Sequence, residues 1–255
     1  MGGCGDDDSA TKASAETVAP GSSAAEAAPA GPPSQLEAFK REASVAGLLD
    51  LLALSHQQLR DRVGPHTIAY QAHFELAPQN PTEVPAKVDQ PVEVAFDVDD
   101  ELELRWDLPK AGVPRAWLRQ QNNREDRREL ILLDGQAYTR LHEDQWYQRE
   151  LDGDLHETWF AEAYAAVHDV VEFAAPQLKI AGVEERASGP EGAVLEVRLA
   201  LADSRDEALG RDGANSRWRA TSRIDSVSGT VTLDANTGAW RSAQVEVAWR
   251  MSDGA

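Results

Sequence analysis

Residues 127–175 read RRELILLDGQAYTRLHEDQWYQRELDGDLHETWFAEAYAAVHDVVEFAA. Residues 130–133 are a short apolar run, and Asp134-Gly135 follows it. Glycine in second place accepts positive φ, so the pair closes a two-residue hairpin. Residues 136–141 return as the partner strand, 142–145 form a second polar turn, and Trp146-Tyr147 open the next strand. At Leu155 the period changes from strand-like to helical. Trp159, Phe160, Ala163, Tyr164, Val167, Val170 and Val171 then recur at helical spacing up to Pro176, which cannot continue a helix. Hairpins therefore run directly into a helix with an aromatic, apolar face, and a sheet covering a helix is expected.

Outward from this stretch the strand period dominates. On the N-terminal side, Val45, Leu48, Leu49, Leu52, Leu59 and Val63 lie at helical spacing, and Gly64-Pro65 ends that segment. One helix is expected from Ser34 to about Arg62. Ile68, Tyr70, Ala72, Phe74 and Leu76 then alternate along a strand. Residues 78–91 contain four prolines and read as a loop. Val92, Val94, Phe96 and Val98 alternate, as do Leu102, Leu104 and Trp106, and Asp99-Asp100 between them is expected to turn a hairpin. Ala116 and Leu118 share one face of the following strand, with Trp117 on the other.

On the C-terminal side, strands are expected at 178–185 and 195–201, the latter with Leu195, Val197, Leu199 and Leu201 in alternation. The polar stretch 203–216 reads as a loop. Trp218, Ala220 and Ile224 mark another strand. Residues 229–234 (GTVTLD) lead through the turn 235–238 (ANTG) to a last strand with Val245, Val247 and Trp249 inward. No strand–helix–strand alternation occurs, so no parallel sheet is expected. The pattern predicts an α+β domain: a single strongly curved antiparallel sheet, an unclosed half-barrel of about ten or eleven strands, with helices packed in its concave face.

Composition limits what this domain does. Residues 1–34 are mostly Ala, Ser, Gly, Pro and acid, too poor in large apolar side chains to offset the entropy of ordering them. They read as a disordered tether, and 35–255 as one domain. The chain carries 44 acidic and 25 basic residues, a net charge of −19. Phosphate contacts need Lys and Arg in excess, so nucleic acid is excluded as a partner. Docking on an anionic bilayer through the domain's field is opposed as well, and membrane association has to come from an anchor.

The sole cysteine is Cys4, in MGGCGDDD. Internal disulfides and cysteine-rich zinc sites are excluded. A lone cysteine after a small residue, at the head of a flexible acidic linker, resembles the mature start of a bacterial lipoprotein. The apolar signal peptide region of that pattern does not precede Gly3-Cys4, so the reading requires that it was removed or lies upstream of Met1. Asp6 stands where N-myristoylation wants Ser or Thr.

Three segments carry a wider resemblance: 132–138 (LLDGQAY), Trp146 in the next short strand, and 229–238 leading into a final apolar strand. With the N-terminal helix followed by strands, the stretch from about Leu36 to Met251 resembles the lipoprotein-carrier superfamily. That superfamily includes the LolA and LolB carriers, the LppX and LprG lipoproteins and the N-terminal domain of RseB. The resemblance implies a LolA-like fold whose concave face holds a lipid, an acyl chain or a lipoprotein anchor, with helices as its lid. Lipidation at Cys4 would place the chain in the bacterial cell envelope, facing the periplasm, as an anchored relative. The expected cavity is lined by Leu104, Trp106, Leu132, Tyr138, Trp146, Trp159, Phe160, Tyr164, Val167 and Val171. The alternative is an interaction or sensor module of the same fold with a filled core and an envelope protein as partner.

Catalysis finds no constellation. There is no G-x-S-x-G, no P-loop and no HExxH among the six histidines. The acidic run Asp97, Asp99, Asp100 and Glu101 lacks EF-hand spacing and reads as a solvated turn. No enzyme, cofactor or metal is expected.

Overall fold

A computed structural model of the chain describes residues 35–53, 56–77, 96–107, 115–149, 153–187, 192–203 and 222–251. The tether with Cys4, the proline-rich loop, Val92, Val94, Trp218, Ala220 and most of the polar loop after Asp203 lie outside the described residues. Among the described residues the chain is α+β, with four α-helices and ten antiparallel strands in unclosed sheets.

Three short helices replace the single N-terminal helix expected: α1 (Gln35–Arg41), α2 (Val45–Leu52) and α3 (His56–Val63). Ser44 explains the first break. Its backbone is extended, and its hydroxyl accepts from the Gly47 N–H at 3.1 Å, capping α2. The amphipathic spacing survives such a break, whereas a serine cap inside it is easily read as a helix residue.

The first sheet has the order β1 (His66–Leu76), β2 (Phe96–Asp107), β3 (Arg115–Asn122), β4 (Arg127–Leu133), β5 (Gln136–Leu141) and β6 (Tyr147–Arg149). Asp134 and Gly135 both take positive φ, 52° and 76°, and join β4 to β5 in the expected tight hairpin. The hairpin expected at Asp99-Asp100 does not form. β2 runs through both residues, pairing with β1 from Phe96 to Trp106. Parity supplies the reason. A two-residue turn at 99–100 would put Val98 and Leu102 on opposite faces, whereas an unbroken strand keeps Val98, Leu102, Leu104 and Trp106 together.

α4 (Gly153–Ala174) comes after β6, and a 3-10 turn over Ala175–Gln177 ends it at Pro176. At 1.5 Å per residue it spans about 33 Å, and it separates β6 from the later strands. These form a second sheet of order β10 (Trp240–Met251), β9 (Ser222–Asp234), β8 (Ala193–Leu201) and β7 (Leu178–Ala187). The expectation of one continuous sheet with an inserted helix is therefore corrected. α4 connects two sheets.

Two apolar clusters match this division. One joins α1, α2 and the C-terminal half of α4 to the second sheet through Phe39, Leu48, Leu51, Val171, Val197 and Val231. The other joins α3 and the N-terminal half of α4 to the first sheet. Trp240 packs against both.

The β9–β10 turn braces the helices. Gly238 has φ 73°, and a Cβ there would stand 3.1 Å from Leu51. Arg62 donates to the Thr237 carbonyl at 2.8 Å. The Asp234 carboxylate accepts from the Asn236 and Thr237 amides at 3.0 and 2.8 Å and pairs with Arg241. Burial alone would raise the Asp234 carboxyl, but Arg241 and the two amides outweigh it and hold it at about 2. A lowered carboxylate pKa stabilises the fold above the ordinary value of 3.8, and that stabilisation is lost as pH falls through 2. Asp234→Asn should cost about 2 kcal/mol at neutral pH. Urea melts at successive pH values should show the difference from wild type shrinking as pH drops from 4 to 2.

Candidate functional site on the inner face of the first sheet

The register of the first sheet stacks its even-numbered residues from β1 to β4 into rows on the face that α4 meets. His66, Trp106, Ala116, Leu132 and Ala137 form one row, and Ile68, Leu104, Leu118, Leu130 and Thr139 the next. Apart from the half-buried His66, both rows are buried. The third row is Tyr70, Leu102, Gln120, Arg128 and Leu141, and the fourth Ala72, Asp100 and Asn122. The face thus changes from apolar to polar across one step of two residues.

α4 spans this boundary. Phe160 meets the Trp106 ring edge-on at 5.7 Å, and Trp159, Ala163 and Tyr164 join the same cluster. α3 adds Leu59, and its Arg60 guanidinium lies 3.9 Å from the centre of the Trp106 ring. The Trp106 indole N–H is buried and meets no acceptor among the described residues, a cost of about 1–3 kcal/mol.

Polar contacts hold the helix at both ends of the contact. His66 Nδ1 lies 2.6 Å from the Gly64 carbonyl and therefore carries the proton, leaving Nε2 to accept from the Tyr164 hydroxyl at 2.7 Å. Burial lowers the His66 pKa. A histidine held neutral in the fold gives stability above its ordinary pKa of 6.5, and that stability is lost as pH falls below it. Thermal melts should show wild type losing stability from pH 6.5 downward, and His66→Gln should lose that part of the dependence.

At the other end, Arg128 donates to Gln120 at 2.6 Å, pairs with Glu162 of α4 and lies 5.0 Å from the Trp159 ring centre. Asp100 accepts from Gln120 at 2.6 Å and from the Tyr70 hydroxyl at 3.1 Å. Burial, then the Asp100 charge, push Tyr70 well above the usual range, so its hydroxyl stays protonated as a donor. A cleft of about 300 Å³ opens here, bordered by Asp100, Gln120, Asn122, Asp126 and Arg128.

The ten residues expected to line a cavity separate into three groups. Leu104, Trp106, Leu132, Trp159, Phe160 and Tyr164 come together in this cluster. Val171 and Val167 pack with the second sheet. Tyr138 and Trp146 are elsewhere. Tyr138 alternates with the buried Ala137 and Thr139 and so faces outward. Trp146 precedes β6, is 39% exposed and stacks with Arg140 at 4.8 Å. Their aromatic character suggested the interior, but parity decides Tyr138, and a short exposed edge strand decides Trp146. Outward from the same sheet, Glu129 is buried beneath Arg127 and Arg140. Burial would raise its carboxyl, but the two arginines lower it.

Sequence reasoning misses the polar group formed by Asp100, Gln120, Arg128 and Glu162. The available signal was again parity: polar residues in phase with Leu102, Leu118 and Leu130. Asp97 and Asp99 point the opposite way, where Asp99 lies 2.8 Å from His73. The exposed side chains of His73, Asp97 and Asp99 hold ligand-type atoms within 4.8 Å of one another.

No protein-family model, curated protein or solved structure matches the chain. Among the described residues no helix is long and apolar enough to cross a membrane.

Proposed function

We propose that this chain is a non-catalytic lipoprotein of the bacterial cell envelope, anchored through Cys4, that holds an apolar chain between α4 and the inner face of the first sheet. In this reading the six-stranded first sheet is a half-barrel and α4 is its lid. The supporting observation is the fit of one aromatic helix face, Trp159, Phe160 and Tyr164, over two rows of buried apolar residues. The interior is packed, so entry requires the lid to move.

Magnitudes allow that exchange. Uncovering three aromatic side chains costs about 1.5–3 kcal/mol each. An acyl chain contributes about 0.8 kcal/mol per buried methylene. About ten methylenes therefore offset the displacement. Binding should depend steeply on chain length. In competition against a neutral fluorescent lipid, hexanol should fail and hexadecanol succeed, with the rise near decanol. Failure across the whole series, or affinity independent of length, would overturn the reading.

Full burial of Leu104, Leu118, Leu130 and Ala163 favours a second reading, a filled-core module that binds an envelope protein. Under that reading no alcohol of any length binds.

A further inference from the structure

We propose that the cleft beside α4 is a headgroup subsite for an alkyl amine. This rests on the chain-binding reading above and adds the chemistry of the ligand's polar end. Three observations carry it.

The first is the polarity step. The buried row Ile68, Leu104, Leu118 and Leu130 lies one step of two residues from Tyr70, Gln120 and Arg128, about 7 Å along each strand. A chain lying on the apolar rows would bring its head to the third and fourth rows. The second is space. The cleft measures about 300 Å³ and is bordered by both polar rows, which suits a small head.

The third is charge. Arg128 is taken up by Glu162 and Gln120, and Arg127 by Glu129. Asp100 accepts only from the neutral Tyr70 hydroxyl and Gln120 amide. The Asp126 side chain accepts only from the Asn122 amide. Neither carboxylate meets a cation among the described residues. The cleft's two arginines thus each pair with a carboxylate, whereas the half-buried Asp100 and the exposed Asp126 have no cationic partner among the described residues. An ammonium group supplies the positive charge that neither Asp100 nor Asp126 meets, and it makes charge-assisted hydrogen bonds there. A carboxylate or phosphate head would meet those same two acids and be repelled.

The test uses three probes with one chain: dodecylamine, dodecanol and dodecanoate. Each displaces a neutral fluorescent lipid from the full chain, below its micelle concentration and at physiological salt. The amine should bind about tenfold more tightly than the alcohol, and the carboxylate more weakly than either. Asp100→Asn keeps an oxygen for Tyr70 and Gln120 but removes the charge. It should abolish most of the amine's advantage over dodecanol, both measured on the same variant; Asp126→Asn should act in the same direction. The net charge of −19 attracts any cation, so an amine preference that survives both substitutions overturns the subsite. Equal binding of all three probes overturns the subsite and leaves the chain site standing. Binding of none overturns both.

Discussion

Phe160→Ala should lower the unfolding free energy by about 3–5 kcal/mol. Phe160 is 1% exposed and meets Trp106 edge-on. Truncating it removes the transfer energy of the ring and leaves a cavity between α4 and β2. The neighbours cannot close that space, because Leu104 and Leu118 are strand residues fixed by hydrogen bonds on both sides. Urea melts should show a lower midpoint at an unchanged slope. Phe74→Ala is the control. It removes the same ring from a site that is 53% exposed, and should change stability by no more than about 0.5 kcal/mol.

Gly229→Ala should be the next most damaging change, at about 3 kcal/mol. Gly229 lies in β9, paired with Leu199 of β8 and Val245 of β10. A Cβ on it would stand 2.3 Å from the Gln244 carbonyl oxygen and 2.8 Å from the Val245 Cα. Both obstacles are backbone, so no rotamer change relieves them, and β9 and β10 must separate locally. The loss should appear in melts and as faster amide exchange around residues 244–246. Gly135→Ala makes a useful contrast. Its Cβ would meet nothing within 4 Å, and only the positive φ of 76° opposes it. Its cost should be about 1 kcal/mol.

Much of this architecture was legible because side-chain period is a direct imprint of burial. The Asp134-Gly135 hairpin, the aromatic stripe of α4 and the antiparallel α+β class all arise from period and turn chemistry. Where two signals competed, the weaker physical argument misled. Asp99-Asp100 has turn composition, but the unbroken even-numbered phase from Val98 to Trp106 requires a strand. Ser44 sits within a helical pattern, yet its hydroxyl starts a new helix. The division into two sheets was not legible, because hydrogen-bond partners between distant strands leave no local pattern.

The candidate site divides in the same way. Its apolar half, Leu104, Trp106, Leu132, Trp159, Phe160 and Tyr164, was accessible from spacing. Its polar half was not. Asp100, Gln120 and Arg128 lie far apart in the chain and become neighbours only through the register of β2, β3 and β4. Glu162 reaches them from α4. Single-sequence reading finds faces. A constellation formed across strands needs the register.

The central claim is that an apolar chain lies between α4 and the buried rows of the first sheet. A long-chain amine with a photoreactive diazirine at its far end tests it most directly. After irradiation and mass mapping, the account predicts adducts confined to Leu104, Leu118, Leu130 and the Phe160–Tyr164 segment of α4. Adducts on the outward-facing Trp117, Ile131 and Tyr138, or none at any concentration that displaces the fluorescent lipid, would contradict it.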